Sequence, residues 1–219
     1  MKNIVAIIGL GKMGNNMSLR LRERGWRVLG LDRNSDFSKI ADLPRPRALI
    51  FSIPAESFDK AAYEAEKFLE RGDIIIDSGN SFYKDSSVRA KKYSKMGIWF
   101  LDMGISGGPS GARKGASLMI GGEKKHFDYL RELFDDLALR DGVQFFEGAG
   151  AGHFVKMVHN GVEYGMMQAL AEGFSVLKKS KYKLDLKKVL DAYNHGSVIE
   201  SRLVGWLAEA MKEYGENFR

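Results

Sequence analysis

Apolar runs and amphipathic stretches alternate along the first two thirds of the chain. Asn3-Ile4-Val5-Ala6-Ile7-Ile8 is almost unbroken in apolarity and partly β-branched, as expected of a strand buried on both faces. A helical pattern follows through Arg24 and stops at Gly25, and Trp26–Leu31 reads as the next strand. Further strands are expected at Ala48–Ile53, ended by Pro54, and at Asp73–Asp77, Ile98–Leu101, Ser117–Ile120 and Val143–Phe146. Helical periodicity fills Phe58–Glu70, Asp85–Lys95 and Lys124–Leu137. Alternation of this kind builds a mostly parallel, doubly wound α/β sheet. Between Asp32 and Ala48 there is room only for a plain crossover through Pro44-Arg45-Pro46, so the sheet is expected to lack one strand on that side. Later segments are all helical, at Gly152–Lys179, Leu186–Tyr193 and Val198–Tyr214. The expected division is an α/β domain over residues 1–150 and a short all-α domain over 151–219.

The first strand feeds directly into Gly9-Leu10-Gly11-Lys12-Met13-Gly14 and then a helix. This is the G-x-G-x-x-G fingerprint of a Rossmann-type domain, in the strand–turn–helix setting that gives it meaning. The first glycine makes the tight turn and the second lets the backbone approach a pyrophosphate. The third lets helix and strand pack closely, so that the helix N-terminus holds the anion. Asp32, at the end of the second strand, is placed to accept hydrogen bonds from an adenosine ribose, which favours NAD. Arg33 follows at once and would suit the 2′-phosphate of NADP, although the neighbouring carboxylate repels it.

Composition narrows the classes. With 219 residues, 44% hydrophobic and 28% charged, the chain is an ordinary globular protein with room for one to two domains. The formal charge of +6 suits an anionic ligand, but the basic residues are dispersed, and no nucleic-acid patch is expected. The absence of Cys excludes disulfides and thiolate chemistry, and the four scattered His suggest no metal site. The N-terminal apolar run is too short for a membrane span, so a cytoplasmic protein without membrane association is expected.

The densest chemistry lies in Lys156-Met157-Val158-His159-Asn160-Gly161-Val162-Glu163-Tyr164. On a helix, Lys156, His159, Asn160, Glu163 and Tyr164 fall at i, i+3, i+4, i+7 and i+8, the spacing of one face. That face carries a potential base, a potential acid and three hydrogen-bonding groups, which a polar substrate would satisfy. Two glycine-dense stretches, Asp77-Ser78-Gly79-Asn80-Ser81 and Ser106-Gly107-Gly108-Pro109-Ser110-Gly111-Ala112, each follow a strand. They stand at the carboxyl edge, where open α/β sheets bind ligands.

Together these motifs resemble the 6-phosphogluconate dehydrogenases, within the wider β-hydroxyacid dehydrogenases, over nearly the whole chain. The resemblance implies NAD(P)-dependent oxidative decarboxylation of 6-phosphogluconate to ribulose 5-phosphate. It implies Lys156 as the general base at the 3-hydroxyl and Glu163 as the general acid that protonates the enediol left after loss of CO2. It further implies that Asn80, Ser106, Gly107, Gly108, His159 and Asn160 hold the sugar acid and Tyr164 its phosphate, with Asn80 also reaching the cofactor. A homodimer through the helical domain is implied too, and Leu203, Trp206, Leu207 and Met211 are expected on an apolar face that seeks a partner. A lysine acting as a base near pH 7 must be neutral, so its pKa has to fall from roughly 10.4.

One position departs from the family pattern. Glu200 occupies the slot where an Arg ordinarily meets the substrate phosphate, with Arg202 two residues on. A dehydrogenase of an unphosphorylated acid, and a nucleotide-binding protein without turnover, therefore stand as alternatives.

Overall fold

The computed structural model describes residues 4–215; Asn3, expected to open the first strand, lies outside them. Seven strands form one sheet among these residues: β1 (Ile4–Ile8), β2 (Arg27–Leu31), β3 (Ala48–Phe51), β4 (Ile74–Asp77), β5 (Trp99–Ser106), β6 (Ala116–Gly122) and β7 (Ala138–Glu147). Their order is β2-β1-β3-β4-β5-β6-β7. The β2-to-β5 part is parallel, β6 runs antiparallel to β5, and β7 is parallel to β6. The sheet is double-sided, as the apolar runs require. In β1, Val5 and Ile7 enter one core with Leu101 and Met103, while Ala6 and Ile8 enter the other with Phe51, Phe58 and Phe100. Among the described residues no strand lies outside β2. The chain there forms a 3-10 turn at Phe37–Asp42, capped by the Asp36 carboxylate on Ser38 N–H, and then crosses to β3.

Helices α1 (Lys12–Glu23), α2 (Phe58–Glu66), α3 (Tyr83–Lys95), α4 (Gly108–Lys114), α5 (Lys124–Tyr129) and α6 (Arg131–Leu137) cover the sheet. The stretch expected as one helix over Lys124–Leu137 is two, meeting at Leu130. The strand expected to end at Leu101 continues to Ser106, because Asp102 and Gly104 pair with Gly121 and Met119 of β6. The second glycine-dense stretch is accordingly the end of β5 followed by α4, and Gly107 at φ 125° makes the turn. Buried ties join α1 and Trp26 to the end of α6 and the start of β7: the Arg20 guanidinium donates to the carbonyls of Asp136 and Ala138, both at 2.6 Å, and the Trp26 indole N–H donates to Asp136 at 2.8 Å.

Helix α7 (Ala151–Lys179) follows, then α8 (Leu186–Tyr193) and α9 (Arg202–Tyr214). The chain divides into compact units at Val158/His159, inside α7. In the second unit Leu186, Leu190, Val204 and Met211 form a small core with Leu170 and Phe174 beside them. Met211 is therefore not on an open face as the sequence suggested, whereas Trp206 is 47% exposed. Helix α9 begins at Arg202 and not at Val198, because Ser201 caps it by accepting from Val204 N–H.

Candidate functional site

The parallel order places β1 between β2 and β3, so the chain leaves β1 to one side and later returns to the other. Such a switch point, at the strands' carboxyl ends, is where open α/β sheets bind ligands. Gly9 turns the chain there at φ 94°, and its N–H donates to the Leu31 carbonyl at 2.8 Å. Side chains on Gly9 would collide with Ile53 and the Ser52 carbonyl, and a methyl on Gly14 would overlap the Gly9 carbonyl. Gly11 differs: its added methyl would meet nothing within 4 Å, leaving its backbone open to an approaching group. It precedes α1, which has no side-chain cap and no acidic residue in its first turn. The positive end of the helix thus faces open space, and a pyrophosphate fits this cradle. Lys12 is exposed, and Leu10 and Met13 pack against the core.

Asp32 stands just past β2 with its Oδ1 accepting from Arg33 N–H at 2.8 Å, and both side chains are exposed. The turn after β4 carries Asn80. It begins at Asp77, which is 1% exposed and bonded to Arg89 at 3.0 Å, while Asp77 Oδ1 accepts from Gly79 N–H at 3.1 Å. Ser78 Oγ donates to the Phe51 carbonyl at 2.8 Å, tying this turn to the end of β3. Asn80 itself is exposed at the tip.

Lys156 lies in the second turn of α7, half-buried, in the same compact unit as the sheet. Its stem covers Gly104 of β5 so closely that a Cβ on that glycine would stand 2.5 Å from the Lys156 Cβ. Ser106 is two residues further along the same strand face, and Gly107 and Gly108 both take positive φ beyond it. Within the second unit, His159 and Glu163 are half-buried at 3.6 Å from each other, and His159 Nδ1 lies 3.3 Å from Asn160 Oδ1. Tyr164 is 71% exposed. Glu200 accepts from Gly196 N–H at 2.7 Å, closing its own turn, and Arg202 is exposed at the start of α9.

Family models match both parts of the chain. The NAD binding domain of 6-phosphogluconate dehydrogenase matches residues 4–65 and 36–144, and the C-terminal domain of 6-phosphogluconate dehydrogenase matches 152–216. The chain belongs to the 6-phosphogluconate dehydrogenase family. A Bacillus subtilis relative, YqeC, named provisionally as such an enzyme, is 41% identical over 92% of this chain and 73% of its own. The NAD(+)-dependent, decarboxylating 6-phosphogluconate dehydrogenase of Haloferax volcanii is 36% identical over 97% of this chain and 76% of its own. The Plasmodium falciparum 6-phosphogluconate dehydrogenase, solved with NADP+ and with 6-phosphogluconate, superposes with a TM-score of 0.85 at 31% identity. That match covers 94% of this chain and 50% of the Plasmodium chain. The 3-hydroxyisobutyrate dehydrogenase of Mycobacterium tuberculosis shares the fold, with a TM-score of 0.79 over 93% of this chain and 74% of its own at 23% identity.

This family member is thus a nicotinamide-dependent oxidoreductase. Among its described residues no group of His, Cys, Asp or Glu is arranged for a metal, and no helix is long and apolar enough to cross a membrane. Sequence reasoning passed over three residues that shape its site. Ser52 and Ile53 form the wall against which Gly9 and Gly79 pack. Asp102 is wholly buried in mid-strand, and burial pushes its carboxyl up while His153 and the amides of Gly150 and His153 pull it back. The available signal was a lone carboxylate inside the apolar run Trp99-Phe100-Leu101-Asp102-Met103.

Proposed function

We propose that the chain catalyses NAD(P)-dependent oxidative decarboxylation of 6-phosphogluconate to ribulose 5-phosphate. The single observation behind the chemistry is the seat of Lys156 on Gly104, beside the strand end that presents Ser106. The names borne by the Haloferax and Plasmodium relatives support the substrate. In this reading residues 1–150 bind the nucleotide through Gly9–Gly14, Asp32 and Arg33, and residues 151–219 serve the substrate and a homodimer. A nicotinamide held there would supply the acceptor for a hydride from C3. Lys156 takes the 3-hydroxyl proton as that hydride leaves, giving the 3-keto acid. The C1–C2 bond then breaks, CO2 departs, and the electron pair passes to the C3 oxygen, where Lys156 returns its proton to give the enediol; Glu163 then protonates C2 as Lys156 takes the hydroxyl proton back, leaving the ketone. Asn80, Ser106, Gly107, Gly108, His159 and Asn160 hold the sugar acid, and Tyr164 its phosphate. Asp32 favours NAD, because its carboxylate would repel a 2′-phosphate.

The test follows reduced-nicotinamide absorbance with 6-phosphogluconate and either NAD or NADP. Turnover is expected, and Lys156→Met and Glu163→Gln should each lower kcat by about 10²–10⁴-fold with cofactor binding retained. Variants within a few-fold of wild type would remove the assigned roles. A second reading, an unphosphorylated sugar acid, is favoured by Glu200, whose carboxylate stands where a phosphate-binding cation is ordinary. Faster turnover of gluconate than of 6-phosphogluconate would establish it.

A further inference from the structure

A helix needs partners for the N–H groups of its first turn. In a capping box the N-cap side chain takes the N3 N–H, and the N3 carboxylate takes the N-cap N–H. At the start of α7 the N-cap residue is Gly150, which has no side chain, and N3 is His153. Both bonds are made instead by one carboxylate from the sheet: Asp102 Oδ1 accepts from Gly150 N–H at 2.6 Å and Oδ2 from His153 N–H at 2.7 Å. Asp102 is wholly buried, as is the position of β6 opposite it, Gly121. Any side chain on Gly121 would stand 2.6 Å from that carboxylate, and one on Gly152 would strike the Met119 carbonyl. The helix start is therefore pressed backbone-to-backbone onto β5 and β6. His153 is held as well, its Nδ1 2.8 Å from Ser86 Oγ.

Asp102, Gly104 and Ser106 alternate along one face of β5. The first holds the start of α7, the second lies under the Lys156 stem, and the third opens the Ser-Gly-Gly segment. We infer that Asp102 is a positioning residue for Lys156: by capping α7 from the strand, it sets the register of the helix along β5 and so the place of the lysine amine relative to Ser106. The inference rests on the role proposed above for Lys156. Asparagine keeps the shape of Asp102 but offers one acceptor and sets an N–H₂ against the second amide, so it should release one of the two bonds.

Asp102→Asn and Asp102→Ala are compared with wild type, per folded molecule, in three measurements. Per-residue hydrogen exchange of Gly150 and His153 should accelerate at least about tenfold while β1 and β4 stay protected. Turnover of 6-phosphogluconate should fall about 10²-fold in kcat, with cofactor KM within about twofold, as a misplacement near 1 Å would produce. A crystal structure of Asp102→Asn should show the Lys156 Cα displaced along Gly104 by a comparable distance. A purely structural carboxylate would lower stability and leave kcat per folded molecule unchanged, and that outcome overturns the inference. Unchanged exchange at both amides overturns it too. If wild type itself is silent toward every sugar acid, the proposed function fails separately, and the displacement of Lys156 alone decides whether Asp102 positions it.

Discussion

A methyl group on Gly14 would overlap the carbonyl oxygen of Gly9, so the start of α1 and the end of β1 touch as backbone. Gly11, midway between them, has a φ of −66° and nothing within 4 Å of an added methyl. Two glycines of one fingerprint thus answer to different demands. Gly14→Ala should cost stability, by several degrees in Tm or loss of soluble protein, with or without ligand. Gly11→Ala should leave stability within about 0.5 kcal/mol, as an exposed substitution does, yet raise the cofactor KM about tenfold by holding the pyrophosphate off the helix. Thermal melts paired with cofactor titrations separate the two. Equal effects on both would show that the ligand does not approach at Gly11.

Arg89 of α3 ties α2 to the end of β4. It donates to Asp77 and, at 2.9 Å, to both oxygens of Asp59, and its guanidinium lies 4.2 Å from the centre of the Phe58 ring. Asp77 is 1% exposed and Asp59 76%. Arg89→Met leaves a buried carboxylate at the root of the Asn80 turn, and should cost about 3–5 kcal/mol. Asp59→Asn removes only a solvent-screened partner and should cost under about 1 kcal/mol. Urea unfolding of the two variants gives the comparison; similar losses would mean that the exposed pair carries the energy.

Much of this was legible from the chain. The run Ile4–Ile8 and the strand–turn–helix at Gly9–Gly14 read correctly because a doubly buried strand and a tight glycine turn each impose their residues locally. That no strand lies outside β2 among the described residues was visible in the shortness of the Asp32-to-Ala48 segment. The extension of β5 to Ser106 was not, since Gly104 and Ser106 read as loop residues until β6 is known to pair with them. Asp102 stayed hidden for the same reason. Its partners, Gly150 and His153, lie 48 and 51 residues further on, and nothing local links a strand carboxylate to an uncapped helix. Met211 was misplaced because an amphipathic helix does not reveal which neighbour covers it, and here α8 supplies Leu186 and Leu190.

Cofactor choice should turn on Asp32. Its carboxylate is exposed and held by Arg33 N–H, so no core contact is lost on substitution. Replacing it by Ala removes the repulsion toward a 2′-phosphate and leaves the Arg33 cation beside it. The ratio of kcat/KM for NADP over NAD should rise about fivefold or more, the factor expected when one close unit-charge repulsion of about 1 kcal/mol is relieved in water. An unchanged ratio would place the adenosine ribose elsewhere.

Acid sensitivity should concentrate at His126. It is 5% exposed, neither ring nitrogen has a hydrogen-bond partner, and its ring stacks on Trp99 at 4.2 Å. Burial lowers its pKa below the ordinary 6.5, with Glu123 opposing and Lys125 reinforcing the shift. The folded state therefore resists the proton that the unfolded chain accepts. Stability is complete above the unfolded value and falls as the pH drops below 6.5, since only the unfolded state gains the proton in that window. His126→Phe keeps an aromatic ring on Trp99 and abandons no hydrogen bond, and the adjoining recess of 470 Å³ gives the larger ring room. The variant should match wild type in Tm at pH 7 and lose less of it by about pH 5, measured as the difference between the two proteins so that the carboxyls and the other histidines cancel. Parallel curves over that interval would show that His126 takes its proton in the folded state as readily as in the unfolded one.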